Sequence, residues 1–191
     1  MIALISALDL RALLALYGGA EGAWAVPMLV LTVVFSGWLS LALVPLLWLG
    51  RTRRFALPLA LGVAAQAVLV WAIKAAVGRV RPWIALGLPA PIGAPHDGSF
   101  PSGHAAGNFC VAAFLALALP AAWPDARGRA RLVAVVAVGL AALVAVSRVY
   151  LGAHFPSDVV CGAALGALVG ALAGKVYALR AVGVERAPKR S

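Results

Sequence analysis

The sequence predicts an all-α fold: a polytopic transmembrane helix bundle of about five spans, with a short interfacial helix at the amino terminus. Three observations carry that prediction. The chain of 191 residues is 64% hydrophobic and 12% charged, and its mean hydropathy is +1.01. Its apolar residues gather in uncharged runs near the ~20 residues that cross a bilayer as a helix. Its lysines and arginines fall mostly in alternate connections between those runs, as in membrane proteins with cytoplasmic basic loops. The length fits a single membrane domain over residues 1–191.

The elements follow in chain order. Ile2 to Tyr17 is apolar but broken by Asp9 and Arg11, so it reads as a helix lying at the interface. It lacks the basic start and small-residue cleavage site of a signal peptide. Trp24 to Gly50 carries no charge, and Phe55 to Ile73 has Gln66 as its most polar member. Ala105 to Trp123 is likewise uncharged. Leu132 to Ser147 and Val159 to Gly174 are shorter, and flanking Arg131 and Lys175 extend them by snorkelling. Between the second and third spans lies the largest polar loop, Gly78 to Phe100, where Pro82, Pro89, Pro91 and Pro95 oppose helix. His96 and Asp97 read as solvated members of that loop. Gly162, Gly166, Gly170 and Gly174 repeat every four residues and would let another helix approach closely, within the chain or from a second copy. Cys110 and Cys161 fall inside spans and read as small apolar packers, with no disulfide framework and no metal-ligand spacing.

The formal net charge of +10 invites a nucleic-acid reading that its distribution opposes. With the amino terminus outside, the inside receives Arg51, Arg53, Arg54, Arg127, Arg129, Arg131, Lys175, Arg180, Arg186, Lys189 and Arg190. The outside receives Arg11, Lys74, Arg79, Arg81 and Arg148. Orientation in a cell membrane accounts for this asymmetry. The tail from Ala187 to Ser191 reads as a solvated end near anionic headgroups. The expected partner is therefore the bilayer and a lipid in it, not nucleic acid.

Three segments at the ends of apolar runs carry the chemistry, and ionisable groups in such places are costly unless they act. Lys74 and Arg81 are seven residues apart, about two helical turns, which would set them on one helix face before Pro82 limits the helix. Arg79 lies off that face and reads as a snorkelling anchor. Pro101-Ser102-Gly103-His104 looks like a helix start, whose free amides suit phosphate oxygens or whose serine is an ordinary cap. In the third segment Arg148 follows Ser147, and His154 precedes Asp158 by four residues. That spacing lets the carboxylate orient the imidazole and leave its other nitrogen nucleophilic.

Lys74, Arg81, Pro82, Pro101, Ser102, Gly103, His104, Ser147, Arg148, His154 and Asp158 together resemble the signature of the type-2 phosphatidic acid phosphatase superfamily. These are membrane lipid phosphatases that share a site with vanadium haloperoxidases; the spans exclude a soluble haloperoxidase. The chain departs from many members in having five expected spans rather than six. Its compact layout resembles the small undecaprenyl-diphosphatase and phosphatidylglycerophosphatase type. The resemblance implies hydrolysis of a phosphate or diphosphate on a lipid at the extracytoplasmic edge, without metal or other cofactor. A polyprenyl diphosphate is the favoured substrate, with phosphatidate and phosphatidylglycerophosphate second. His154 would form a phosphohistidine, oriented by Asp158, and His104 would protonate the leaving oxygen. Lys74, Arg81, Arg148, Ser102 and the Gly103 amide would hold the phosphate oxygens. A phosphotransferase with the same nucleophile, and a non-enzymatic lipid-binding protein, are the alternatives. The oligomeric state is not legible.

Overall fold

The computed structural model describes residues 2–19, 21–36, 53–91, 93 and 96–185. Its helices are α1 (Ile2–Leu16), α2 (Ala25–Val34), α3 (Arg53–Val77), the short α4 (Pro82–Ala85), α5 (Gly103–Ala122), α6 (Arg127–Tyr150) and α7 (Pro156–Glu185). One turn of 3-10 helix, Pro124–Ala126, joins α5 to α6. No strand occurs among the described residues.

Four stretches are long and apolar enough to cross a membrane: Arg53–Ala85, Gly103–Ala122, Pro124–Tyr150 and Pro156–Arg180. They correspond to the second to fifth spans expected from sequence, the third ending at Ala122, one residue short of Trp123. The last two helices run well beyond their apolar runs, because Arg127, Arg129 and Arg131, or Lys175 and Arg180, continue the helix with exposed side chains. At 24 residues α6 is about 36 Å long, ample for a bilayer. Of the first expected span, Trp24 to Gly50, the described part forms α2; residues 37–52 lie outside the described residues, so the count of five is not decided.

The bundle is organised around α5, which packs against α7, α6 and α3. The glycine repeat explains its closest contact. A Cβ on Gly162, Gly166 or Gly170 would collide with the backbone of Ser102, Ala106 or Cys110, one turn apart along α5, and one on Gly174 would crowd Phe114. The stripe thus serves packing within the chain. At one end Phe55, Phe114 and Tyr177 form an aromatic cluster, with Phe55 4.8 Å from Tyr177 and 6.4 Å from Phe114 between ring centres. The outward faces are apolar: Trp71 is 71% exposed, and Leu61, Val68, Val135 and Leu168 are similarly bare. Those side chains suit lipid, not water. Cys110 is a buried packer as expected, whereas Cys161 is exposed on the outer face of α7.

The antiparallel run of α3, α5, α6 and α7 brings four chain ends together. They are the C-terminus of α3, the N-terminus of α5, the C-terminus of α6 and the N-terminus of α7. All three chemistry-bearing segments lie there. α1 closes this end from outside. Its Asp9 and Leu13, four residues apart on one face, are buried, while Leu8, Leu14 and Leu16 stay exposed. Tyr150, at the end of α6, accepts from the amides of Gly18 and Gly19 through its carbonyl and of Trp24 through its hydroxyl, seating the α1–α2 connection.

Candidate active site

α3 stops before Arg81. Gly78, at φ +59°, donates its amide to the Lys74 carbonyl at 2.9 Å and ends the helix in the left-handed conformation that glycine permits. Lys74 therefore sits in the last turn of α3, while Arg81 is extended and precedes α4. The expectation that both share one helix face is wrong. They converge because the intervening chain turns back and the loop carboxylate of Asp97 bridges them. Its Oδ2 lies 3.0 Å from Lys74 Nζ and its Oδ1 accepts from Arg81 Nη2 at 2.6 Å. Lys74 also donates to the Gly98 carbonyl. Asp97 is half exposed rather than a free loop residue. Burial works to raise its pKa, but hydrogen bonds from Arg81 and Lys74 prevail and hold the carboxyl below the usual carboxylate range. His96 is exposed, with its ring 6.3 Å from that of Trp83.

α5 begins as the Pro-Ser-Gly-His segment suggests. Ser102 is fully buried and its hydroxyl accepts weakly from the Ala105 amide at 3.4 Å, so it caps the helix. Its own amide donates to the Asp158 carbonyl at 2.9 Å, tying the start of α5 to α7. The amides of Gly103 and His104 stand in the first turn, where intrahelical partners are lacking. His104 is half-buried, with Arg148, His154, Arg81 and Lys74 as its charged or ionisable neighbours.

The third segment meets the other two. The backbone turns between α6 and α7 at Gly152, φ +70°, and the Arg148 carbonyl accepts from the amides of Ala153 and His154. Pro156 then opens α7. His154 is 2% exposed, with Nε2 3.2 Å from Arg81 Nη1 and Nδ1 3.5 Å from Asp158 Oδ2. The carboxylate is on the expected side, but the second distance is too long for a formed hydrogen bond, and Nδ1 has no other partner among the described residues. Arg148 Nη1 donates to Thr32 Oγ1 of α2 at 2.8 Å, while its Nε is buried and unpartnered among the described residues. Ser147 is buried and donates back to the Val144 carbonyl at 2.7 Å.

Burial pushes the His154 imidazole down to about 4; Asp158 pulls the other way, and Arg81 and Arg148 add to the fall. The ring is thus neutral near pH 7. With Nδ1–H toward Asp158, Nε2 keeps a lone pair beside Arg81. Cations, a neutral imidazole and first-turn amides at one bundle end can bind a phosphoryl group and attack it in line. Orphaned donors such as Arg148 Nε are what an incoming anion would satisfy.

Sequence reads Asp9 and Arg79 otherwise and does not single out Thr32. Arg79 is no anchor: its guanidinium joins Asp9 to Asp158, at 2.6 Å on each side. Thr32 holds Arg148. The signal available for Asp9 was its charge inside an apolar helix. Thr32 gave none.

Comparison with known proteins agrees with this layout. The sequence profile described as the PAP2 superfamily matches residues 55–180. Decaprenylphosphoryl-5-phosphoribose phosphatase of Mycobacterium tuberculosis is 35% identical over 154 residues, covering 81% of this chain and 77% of that protein. The crystal structure of a transmembrane PAP2 type phosphatidylglycerolphosphate phosphatase from Bacillus subtilis superposes with a TM-score of 0.77 at 26% identity, covering 97% of this chain and 89% of the other. LpxE from Aquifex aeolicus superposes with a TM-score of 0.73 at 27% identity, covering 88% and 95%.

Proposed function

The chain belongs to the PAP2 superfamily of membrane phosphatases, and from that premise we propose that it hydrolyses a polyprenyl-linked phosphate or diphosphate through a phosphohistidine on His154. The observation that carries the mechanism is the pairing of His154 Nε2 with Arg81 at 3.2 Å, while Asp158 faces Nδ1. A nucleophilic nitrogen and a phosphate-binding cation are thereby adjacent, at the end of the bundle where a lipid headgroup would lie.

In the first half-reaction, Nε2 of His154 forms a bond to phosphorus as the bond to the leaving oxygen breaks. Nδ1 keeps its proton, and Asp158 offsets the charge gained by the ring. His104 enters the step as the imidazolium, beside the bound phosphate, and gives its proton to the leaving oxygen. Lys74, Arg81 and Arg148 hold the non-bridging oxygens together with the Gly103 amide, and stabilise the charge spread over them. Ser102 sets the first turn from which that amide projects. In the second half, water passes a proton to His104 and attacks phosphorus; the P–N bond breaks, and phosphate leaves with His154 neutral again. The three cations do without a metal in this scheme. Asp97 pairs with Lys74 and Arg81, so a substrate phosphate bound by those two cations competes with its carboxylate.

Two considerations support a lipid, and a prenyl lipid in particular. The site lies at one end of a bundle of apolar helices, where a lipid headgroup would lie while its chain stays in the bilayer. The relative from Mycobacterium tuberculosis is named for a decaprenyl-linked phosphate, and a site built at the membrane edge accepts a long chain lying beside it in the bilayer. The site faces the extracytoplasmic side of the cell membrane in this account. The test compares kcat/KM for a polyprenyl diphosphate, a polyprenylphosphoryl sugar phosphate, phosphatidylglycerophosphate, phosphatidate and a soluble phosphomonoester in one detergent. A prenyl substrate should lead. If phosphatidylglycerophosphate leads by more than about tenfold, roughly 1.4 kcal/mol in the transition state, the prenyl assignment fails. If the soluble ester matches every lipid, the lipid assignment fails.

A further inference from the structure

An ionic chain with a buried carboxylate at each end runs from the amino-terminal helix to the acid behind His154, and none of the steps above uses its outer half. Asp9, in α1, is 5% exposed. Its Oδ1 accepts from the Ser157 amide at 2.8 Å, and its Oδ2 from the Ser157 hydroxyl at 2.5 Å and from Arg79 Nη2 at 2.6 Å. The other arm of that guanidinium, Nη1, donates to Ser157 Oγ at 2.7 Å and to Asp158 Oδ1 at 2.6 Å. Phe155 lies under the guanidinium, 4.3 Å from ring centre to Cζ. Asp158 is fully buried; its Oδ2 accepts from the Phe155 amide at 2.9 Å and is the oxygen that faces His154. Four side chains from three parts of the chain are thus linked by short, charge-assisted contacts, and every carboxylate oxygen in the chain has a donor.

A fully buried carboxylate needs a partner to stay charged. Arg79 is that partner for Asp158, but a guanidinium with no other counter-charge would draw the electron density of Asp158 toward itself. The imidazole gains positive charge on phosphorylation and needs that same density. Asp9 resolves the conflict. One guanidinium shared between two carboxylates leaves the cluster with a net charge of −1 toward His154, and without Asp9 the cluster would be neutral. Asp9 also holds the Ser157 amide and hydroxyl in the first turn of α7, fixing the helix start from which Asp158 projects. An apolar helix that served only to lie at the interface would have no reason to bury a carboxylate here.

We propose that Asp9 is a positioning residue for the nucleophile, acting through Arg79 and Asp158, so that the site is complete only when α1 is seated. This rests on the reading of His154 as the nucleophile. Asp9 does not reach the phosphate cations Lys74, Arg81 or Arg148, so its loss should affect the chemical step and not substrate binding. Among the described residues Arg79 is the side chain that contacts both Asp9 and Asp158, which makes the coupling testable by a double-mutant cycle.

The experiment takes the full-length protein in detergent with whichever lipid phosphate the wild type hydrolyses. Asp9→Asn should lower kcat about tenfold while KM changes less than twofold. Arg79→Gln should lower kcat at least as much, and Asp9→Asn added to it should lower kcat no further. Arg79→Lys keeps the charge but cannot span both carboxylates, so it too should lose kcat at unchanged KM; it serves if Asp9→Asn fails to accumulate in the membrane. The proposal is overturned if Asp9→Asn or Arg79→Lys retains kcat within twofold of wild type. It is equally overturned if Asp9→Asn costs the same factor on the Arg79→Gln background as on wild type, or if KM rises in step with the loss of kcat. A wild type that hydrolyses no lipid phosphate would instead defeat the function proposed above, leaving a separable outcome.

Discussion

At His154, burial and the Asp158 carboxylate pull in opposite directions, and burial, aided by Arg81 and Arg148, wins. The imidazole is held at about 4 although Asp158 faces it. The reactive form is the unprotonated ring, so activity falls as pH drops through that value. An ordinary histidine of pKa ~6.5 would be about nine-tenths protonated at about pH 5.5; His154 would keep its lone pair there. The acid limb of kcat/KM, corrected for ionisation of the substrate phosphate, should therefore lie near pH 4. Asp158→Asn should move it lower still, because Asp158 raises the value. A limb near pH 6.5 would contradict the burial argument. Asp97 gives a second expectation. Its carboxylate pairs with Lys74 and Arg81, so Asp97→Asn should lower KM and the inhibition constant of orthovanadate several-fold, without raising kcat. A higher KM with lower kcat would make Asp97 a strut for the cations instead of a competitor for them. Lys74, Arg81, His104, Arg148, His154 and Asp158 could be picked out from sequence because charges at the ends of apolar runs are conspicuous. Arg79 could not be placed, because its position was projected onto a helix that Gly78 ends. Asp97 looked like an ordinary loop residue because nothing in its neighbourhood states that two cations fold back onto it.

Among the elements, the spans were legible because a bilayer imposes length and composition on them. Their ends were not, since arginines can continue a helix into the interface, as in α6 and α7. The glycine repeat was legible as a close-packing stripe, but only the fold shows that α5 fills it. Gly166→Ala and Gly170→Ala would drive a methyl group into the Ala106 or Cys110 carbonyl. Overpacking of this kind costs about 1–3 kcal/mol, or several degrees of melting temperature. Gly139→Ala in α6 is the control, since a methyl group there meets nothing within 4 Å. It should melt at or slightly above the wild type, as alanine is the better helix former. Thermal unfolding in detergent checks all three; wild-type melting of Gly166→Ala would mean that α5 and α7 are not in backbone contact at that point.

Over the whole molecule, the two bundle ends differ in what their charges do. At the end where Arg54 donates to the Ala122 carbonyl, Arg53, Arg127, Arg129 and Arg131 are exposed. At the opposite end Arg79, Arg81 and Arg148 are engaged by side chains and carbonyls within the protein. The free cations should face the cytoplasm. In a background lacking Cys110 and Cys161, Ala90→Cys should react with a membrane-impermeant maleimide in intact cells, and Asp125→Cys only after permeabilisation. The reverse pattern would invert the orientation and place the site inside.

The central claim is that His154 carries the phosphoryl group between lipid and water. The most direct measurement is rapid quenching of the enzyme with a lipid substrate labelled in its terminal phosphate, followed by mapping of the label. The wild type should show a burst of acid-labile, base-stable label on the peptide containing His154. His154→Ala should show neither label nor turnover, and His104→Ala should retain label while losing turnover by about 10²–10⁴-fold, the usual range of general acid–base catalysis. Near-normal turnover by His154→Ala, or label that persists elsewhere in that variant, would contradict the account.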